Sequence, residues 1–268
     1  MPTFFFYDMK KYYYLIQLQY LGFRYHGWQK QPDVKTVQKM VEKTVRFVLE
    51  HEDFKVLGSA RTDAKVSANN AAFELFLKAP IDTELFFKAF NENLPQDIRA
   101  TGIKEVDRSF NIINSPKYKE YIYLFSFGEK NHPFSAPFMT YISEKLDIGL
   151  MEEGARLFEG LHNFQNYCYK PKENTMFNRE IKYSRILEND VYTANFFPEK
   201  SFLYKVIGKG FMRHQVRLMV GALINLGKGK FDMDYIRYSL TEKIEDPLNN
   251  IAPSSGLILN KIEFDDDL

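Results

Sequence analysis

Apolar positions recur along this chain with two different periods, and each period marks a different kind of element. Residues 12–20 (YYYLIQLQY) are rich in β-formers and end in Leu/Gln alternation, which predicts a strand. From Thr36 onward (TVQKMVEKTVRFVLE) the period lengthens: Val37, Met40, Val41, Thr44, Val45 and Val48 share one helix face. Lys39, Glu42, Lys43 and Arg46 fall elsewhere on that helix, and Thr36 is placed to cap it. Strand character returns at residues 71–77 (AAFELFL), followed by a helix over 82–93 that stops before Pro95 and a strand over 99–106. The second half runs in a similar order. Strands are predicted at 119–127, 180–187 and 203–207, and helices at 148–158, 211–226 and, more briefly, 233–240. The pattern predicts an α+β chain of two βαβ-like lobes, residues 1–107 and 108–268, with a boundary near 107–114.

Composition narrows the class. Hydrophobic residues make up 45% of the chain, an ordinary share for a globular protein. The 25 Phe and 17 Tyr mostly fill core, although some Tyr can remain exposed as flat stacking surfaces. Net charge is only +1, so a nucleic-acid enzyme of this composition must concentrate its positive charge locally. One stretch does so: residues 205–230 contain Lys205, Lys209, Arg213, Arg217, Lys228 and Lys230 and no acid. Such a segment can track phosphates, or it can be an ordinary basic face balanced by acids elsewhere in space. A single cysteine, Cys168, excludes an internal disulfide framework and a Cys-rich zinc site. The five histidines show no metal-binding spacing, so no metal site is expected. The aromatic start is interrupted by Asp8, Lys10 and Lys11, and no apolar run approaches the roughly 20 residues that span a bilayer. A soluble cytoplasmic protein without membrane partners is expected, its acidic end (FDDDL) forming a solvated tail.

The segment GSARTDAKVSANN, residues 58–70, is the least ordinary in the chain. On spacing alone, Arg61 and Asp63 read as a surface pair worth under about 1 kcal/mol. The wider context changes this. GSARTDAKVSA resembles the motif G-x-G/A-R-T-D-x-G-V-H/S-A that holds the catalytic aspartate of the TruA family of tRNA pseudouridine synthases. YLGFRYHGWQKQPDVKTVQ, residues 20–38, resembles that family's Y-x-G-x-x-Y/F-x-G-W-Q-x-Q segment and the opening of its first helix. NLPQDIRATGIKEVDRSFN, KEYIYLF, FEGLHNFQNYC and GKGFMRHQVRLMVGALINLGKGK resemble further family blocks, in family order.

The resemblance implies the pseudouridine synthase fold, with mainly antiparallel sheets, helices packed on one side and a basic cleft between lobes. It implies that Asp63 is the nucleophile, either attacking ribose C1′ or abstracting a proton from the sugar. Arg217, at the edge of its helix's apolar arc, becomes the carboxylate's cationic partner rather than a snorkelling arginine. Tyr121 matches the active-site tyrosine, with Tyr118 and Tyr123 as close competitors. Arg61 matches the arginine that takes the place of the flipped nucleotide. Gln29, Lys30, Gln31, Lys65, Lys209 and Arg213 are further candidates for RNA contact. The expected partners are tRNA, entered at the anticodon stem-loop, and a second copy of the chain in a homodimer.

The chain departs from the family pattern at Lys65, where glycine is usual in the turn, and at Asn69, Asn70, Arg213 and His214. Two other readings remain at this stage. A catalytically inactive RNA-binding protein that kept the fold would bind tRNA indifferently to Asp63→Asn. A hydrolase using Asp63 with a metal would need a ligand cluster that the surrounding sequence lacks.

Overall fold

Strand alternation decides which side of the sheet carries the helices. The computed structural model describes residues 11–241, 243–244, 248 and 250–264. The aromatic start through residue 10 and the acidic end from residue 265 lie outside the described residues. The elements in order are β1 (Tyr12–Tyr20), α1 (Val37–Leu49), β2 (Phe54–Gly58), β3 (Ser67–Leu77), α2 (Thr83–Asn93) and β4 (Ile98–Val106). They continue with β5 (Pro116–Phe127), β6 (Thr140–Ile142), α3 (Ile148–Arg156), β7 (Gly160–Asn163), β8 (Asn178–Glu188) and β9 (Phe202–Gly208). The chain ends with α4 (Gln215–Gly227), α5 (Met233–Ser239) and β10 (Leu257–Phe264). Thr36 caps α1 by accepting the Lys39 N–H at 3.3 Å, and Asp82 caps α2 by accepting from Glu84 and Leu85.

The strands form one sheet in the order β4-β1-β3-β10-β5-β9-β8-β7, with β2 beside β3 and β6 beside β5. Pairing is antiparallel except between β3 and β10 and between β5 and β6. In the first half β1 pairs antiparallel with both β3 and β4, so the described residues of that half contain no parallel crossover of the true βαβ kind. Tyr14, Ile16, Leu18 and Tyr20 of β1, with Tyr121, Tyr123 and Phe125 of β5, face one continuous core. That core also takes in Val41 and Val45 of α1, Phe86 and Phe90 of α2, Met151 of α3 and Leu223 of α4. Alternate residues such as Leu15, Ile122 and Leu124 belong to two smaller clusters covered by connecting segments. The helices therefore share one face of the sheet.

The last strand is the seam between the halves. Ile258 and Leu259 pair with Ser67 and Ala68 on one side, while Leu259 pairs with Tyr121 on the other. Tyr121 thus lies two strand spacings, about 10 Å, from the strand that begins just after Asp63. Residues 107–115 join β4 to β5, and Phe110 and Ile112 bury themselves against the helix-free face. Helix α4 starts later than its apolar pattern predicts: His214 adopts φ +59, left-handed, and the regular helix begins at Gln215. Among the described residues no helix is long and apolar enough to cross a membrane.

Candidate active site

Asp63 sits in the turn of residues 59–66 that joins β2 to β3, and residues 20–28 form a bed for that turn. Two glycines let the backbones touch. A Cβ on Gly22 would lie 1.9 Å from the Val66 carbonyl oxygen, and one on Gly27, at φ +83, would lie 2.3 Å from that of Thr62. Hydrogen bonds then fasten the turn. The Trp28 N–H donates to the Thr62 carbonyl at 3.2 Å, and the Lys65 N–H donates to that of Tyr25 at 2.9 Å. The Gly22 N–H donates to Ser67 Oγ at 2.9 Å, and the Tyr20 and Thr62 hydroxyls bond at 2.9 Å. From β5, Lys119 Nζ donates to the Ser59 carbonyl at 2.8 Å; burial holds that ammonium below its usual range.

Asp97 anchors the bed in turn. It accepts the Tyr25 hydroxyl at 2.6 Å and pairs with Arg24 at 2.7 Å. Burial pushes its carboxyl up, but the bonds from Tyr25 and Arg24 outweigh this and the net shift is downward. Lys65 adopts φ +67, so this position of the turn is left-handed, the conformation that favours glycine, although a lysine stands there.

From the other side of the seam, α4 delivers Arg217. Its Nη1 lies 3.1 Å from Asp63 Oδ2, and its Nε donates to the Ala252 carbonyl at 2.7 Å. His214 Nε2 stands 3.3 Å from the same Oδ2. No described residue hydrogen-bonds Oδ1, and the Asp63 side chain keeps 28% of its exposure, so one oxygen is held while the other is open. The imidazole of His214 stacks on Tyr169 with centroids 4.7 Å apart and planes at 19°. Arg213 lies over the same tyrosine at 5.3 Å.

Tyr121 is nearly buried and packs edge-on against Phe211 at 5.2 Å. Its hydroxyl has no hydrogen-bond partner among the described residues, and burial, with lesser effects from Tyr20 and Asp63, raises its pKa well above the ordinary 10.0. Its two competitors are differently placed. The Tyr123 hydroxyl donates to the Pro253 carbonyl at 2.9 Å and accepts from the Thr140 hydroxyl at 2.8 Å. Tyr118 lies under Lys182, whose Nζ is 4.5 Å from the ring centroid.

The fold therefore brings Asp63, Arg217 and Tyr121 together. Arg61 is exposed, two residues from Asp63. Arg213 joins the edge of the cluster through Tyr169. Lys65 lies on the exposed side of the turn, 5.6 Å from the Phe23 ring. Lys209 is exposed, just past the end of β9, with Glu180 at 3.9 Å. Gln29, Lys30 and Gln31 are exposed before α1, and no contact joins them to Asp63; Lys30 pairs with Glu42 at 2.7 Å. Sequence reasoning noticed His214 only as a departure and passed over Tyr169 and Lys119. The available signal was the spacing of His214, three residues before Arg217, on a segment with no acid. Among the described residues no group of three His, Cys, Asp or Glu is arranged to hold a metal ion.

A family model described as tRNA pseudouridine synthase matches residues 155–265. The tRNA pseudouridine synthase A of Dictyoglomus thermophilum is 32% identical over 251 residues, covering 93% of this chain and 98% of that protein. The protein of the same name from Clostridium kluyveri is 30% identical over 248 residues, covering 92% and 97%. Among solved structures, a chain of the archaeal box H/ACA sRNP Nop10-Cbf5 complex overlaps loosely, at 13% identity and TM-score 0.35, over 90% of this chain and 61% of its own. Identity sustained over nearly the whole of this chain and of its relatives places it: the chain belongs to the TruA family of tRNA pseudouridine synthases.

Proposed function

We propose that this protein isomerises uridine to pseudouridine in tRNA, with Asp63 as the nucleophile. One observation carries the assignment: Arg217 holds Asp63 by Oδ2 while Oδ1 stays open. The guanidinium occupies one carboxylate oxygen, and the free oxygen can act on the ribose of a bound nucleotide. The N1–C1′ bond breaks, the base turns, a C5–C1′ bond forms, and the C5 proton is lost as N1 gains one. The formula is unchanged and no electrons are transferred, so the chain's own residues can supply the chemistry. Tyr121 is the group placed against the base: its ring gives a stacking face and its unpartnered hydroxyl can assist removal of the C5 proton. Arg61, exposed beside Asp63, takes the space that the flipped nucleotide leaves. Residues 1–107 then supply the aspartate and residues 108–268 the tyrosine and arginine.

Lys65, Lys209 and Arg213 contact RNA phosphates around this opening, with Gln29, Lys30 and Gln31 farther out. By family likeness the target uridine lies in the anticodon stem-loop, and the protein works in the cytoplasm as a homodimer. The deciding experiment is tritium release from tRNA labelled at uracil C5, with wild type and Asp63→Asn assayed together. Release by wild type alone is expected. Salt-sensitive binding by both proteins, with release by neither, would instead identify an inactive RNA-binding protein.

A further inference from the structure

Two side chains of different kinds approach Asp63 Oδ2: Arg217 hydrogen-bonds it at 3.1 Å, and His214 Nε2 stands 3.3 Å away. We propose that His214 is a positioning residue: as a neutral imidazole it donates from Nε2 to Asp63 Oδ2, beside Arg217, and so leaves Oδ1 as the reacting oxygen. This rests on the assignment of Asp63 as nucleophile.

The geometry leaves the ring little freedom. His214 stands at φ +59 immediately before α4, and its face is fixed against Tyr169. With the ring so held, Nε2 meets Oδ2 at 3.3 Å while Nδ1 is buried without a hydrogen-bond partner. Protonating the ring would place an N–H at Nδ1 with no acceptor, and an unmade hydrogen bond at a buried donor is expensive. The charged neighbours act in the same sense. Arg213 and Arg217 flank the ring on its own segment, Lys170 lies beyond Tyr169 at 5.4 Å from that ring, and Asp63 is the acid facing it. Burial lowers the imidazole's pKa; Asp63 pulls it up, Arg217 and Arg213 push it down, and the net displacement is downward.

A neutral second donor suits a nucleophile better than a second cation. Two positive charges on one carboxylate would stabilise its resting form and weaken its attack. A neutral N–H fixes the rotation of the carboxylate about its Cβ–Cγ bond at smaller cost to its reactivity. Tyr169 has a part in this arrangement, since without its face the ring could turn Nε2 away.

The test compares His214→Phe and His214→Gln with wild type and Asp63→Asn in single-turnover tritium release. Phenylalanine keeps a flat ring for Tyr169 and removes the donor; glutamine returns an N–H near the position of Nε2. For His214→Phe a fall in rate of about tenfold or more is expected, with tRNA affinity unchanged. His214→Gln should recover part of the rate. Nitrogen NMR of wild type at neutral pH should find His214 unprotonated at Nδ1. A wild-type rate in His214→Phe would overturn the proposal, as would equal rates for the Phe and Gln variants or an imidazolium signal at neutral pH. Should wild type itself release no tritium, the assignment of Asp63 fails first, and the NMR measurement still decides whether His214 is a neutral donor.

Discussion

Arg217 bonds Asp63 through Nη1 and the Ala252 carbonyl through Nε, so one guanidinium ties the β2–β3 turn to the segment leading into β10. The two bonds, at 3.1 and 2.7 Å, use different edges of one planar group. Lysine, a single point donor, cannot make both. Arg217→Lys is expected to slow single-turnover isomerisation by about 100-fold and to lower stability by about 1–2 kcal/mol. Rapid-quench rates and urea denaturation would measure the two effects. A rate close to wild type would mean that charge alone, rather than the fixed fork, supports the carboxylate.

Tyr121 and Tyr123 lie two apart on β5 and face the same core, yet their hydroxyls differ in what they hold. Removing an unpartnered hydroxyl leaves no bond unmade, whereas Tyr123→Phe strands the Pro253 carbonyl as an acceptor and the Thr140 hydroxyl as a donor. Tyr123→Phe should cost about 1–2 kcal/mol in a denaturation experiment. Tyr121→Phe should leave stability and tRNA affinity near wild type and slow tritium release by about 100-fold or more, if its hydroxyl assists the proton transfer. Equal rates for Tyr121→Phe and wild type would restrict the residue to stacking.

Much of the fold was legible because its longer elements repeat one period without interruption. The 13-residue α1 and the nine-residue β1 carry enough turns of pattern to declare themselves, and their structured bounds fall where the periodicity placed them. What escaped was short or broken. Strand β6 has three residues, and β10 loses its alternation at a register shift between Leu259 and Lys261, next to Asn260. Missing β10 meant missing the seam, the strand that among the described residues binds both halves into a single sheet. The candidate site divided in the same way. Asp63, Arg61, Tyr121 and Arg217 stood in motifs, but the His214–Tyr169 stack depends on a left-handed residue at the start of α4 and on a contact across 45 residues. Periodicity treats residue 214 as one more helical position and so carries no sign of either.

Gly22 gives the bed of the Asp63 turn its fit. A methyl group there would meet the Val66 carbonyl carbon at 2.3 Å and its oxygen at 1.9 Å, both backbone atoms that cannot turn aside. Gly22→Ala must therefore displace either the 20–28 segment or the turn, at a cost of about 1–3 kcal/mol or more. Because the turn carries Asp63, the rate of isomerisation should fall even at temperatures where the variant remains folded. Circular dichroism melts combined with tritium release below the transition would separate the two effects. A variant that melts lower but reacts at the wild-type rate would show that the strain is absorbed away from Asp63.

Lys65 combines a backbone role with a charge, and two substitutions separate them. At φ +67 a side chain costs roughly 1–2 kcal/mol relative to glycine, while glycine itself loses about 0.5–1 kcal/mol through the freedom of the unfolded chain. Lys65→Gly should consequently match or exceed wild-type stability by up to about 1 kcal/mol, and Lys65→Ala should be the less stable variant of the pair. Both remove the ammonium, which lies exposed near Phe23 and is free to meet a phosphate. Each contact of that kind contributes about 0.7–0.9 to the slope of log affinity against log salt concentration, so both variants should lose that amount equally. Equal stability of the alanine and glycine variants would mean that the turn can leave the left-handed region. An unchanged salt slope would mean that Lys65 stands clear of the RNA and serves the turn alone.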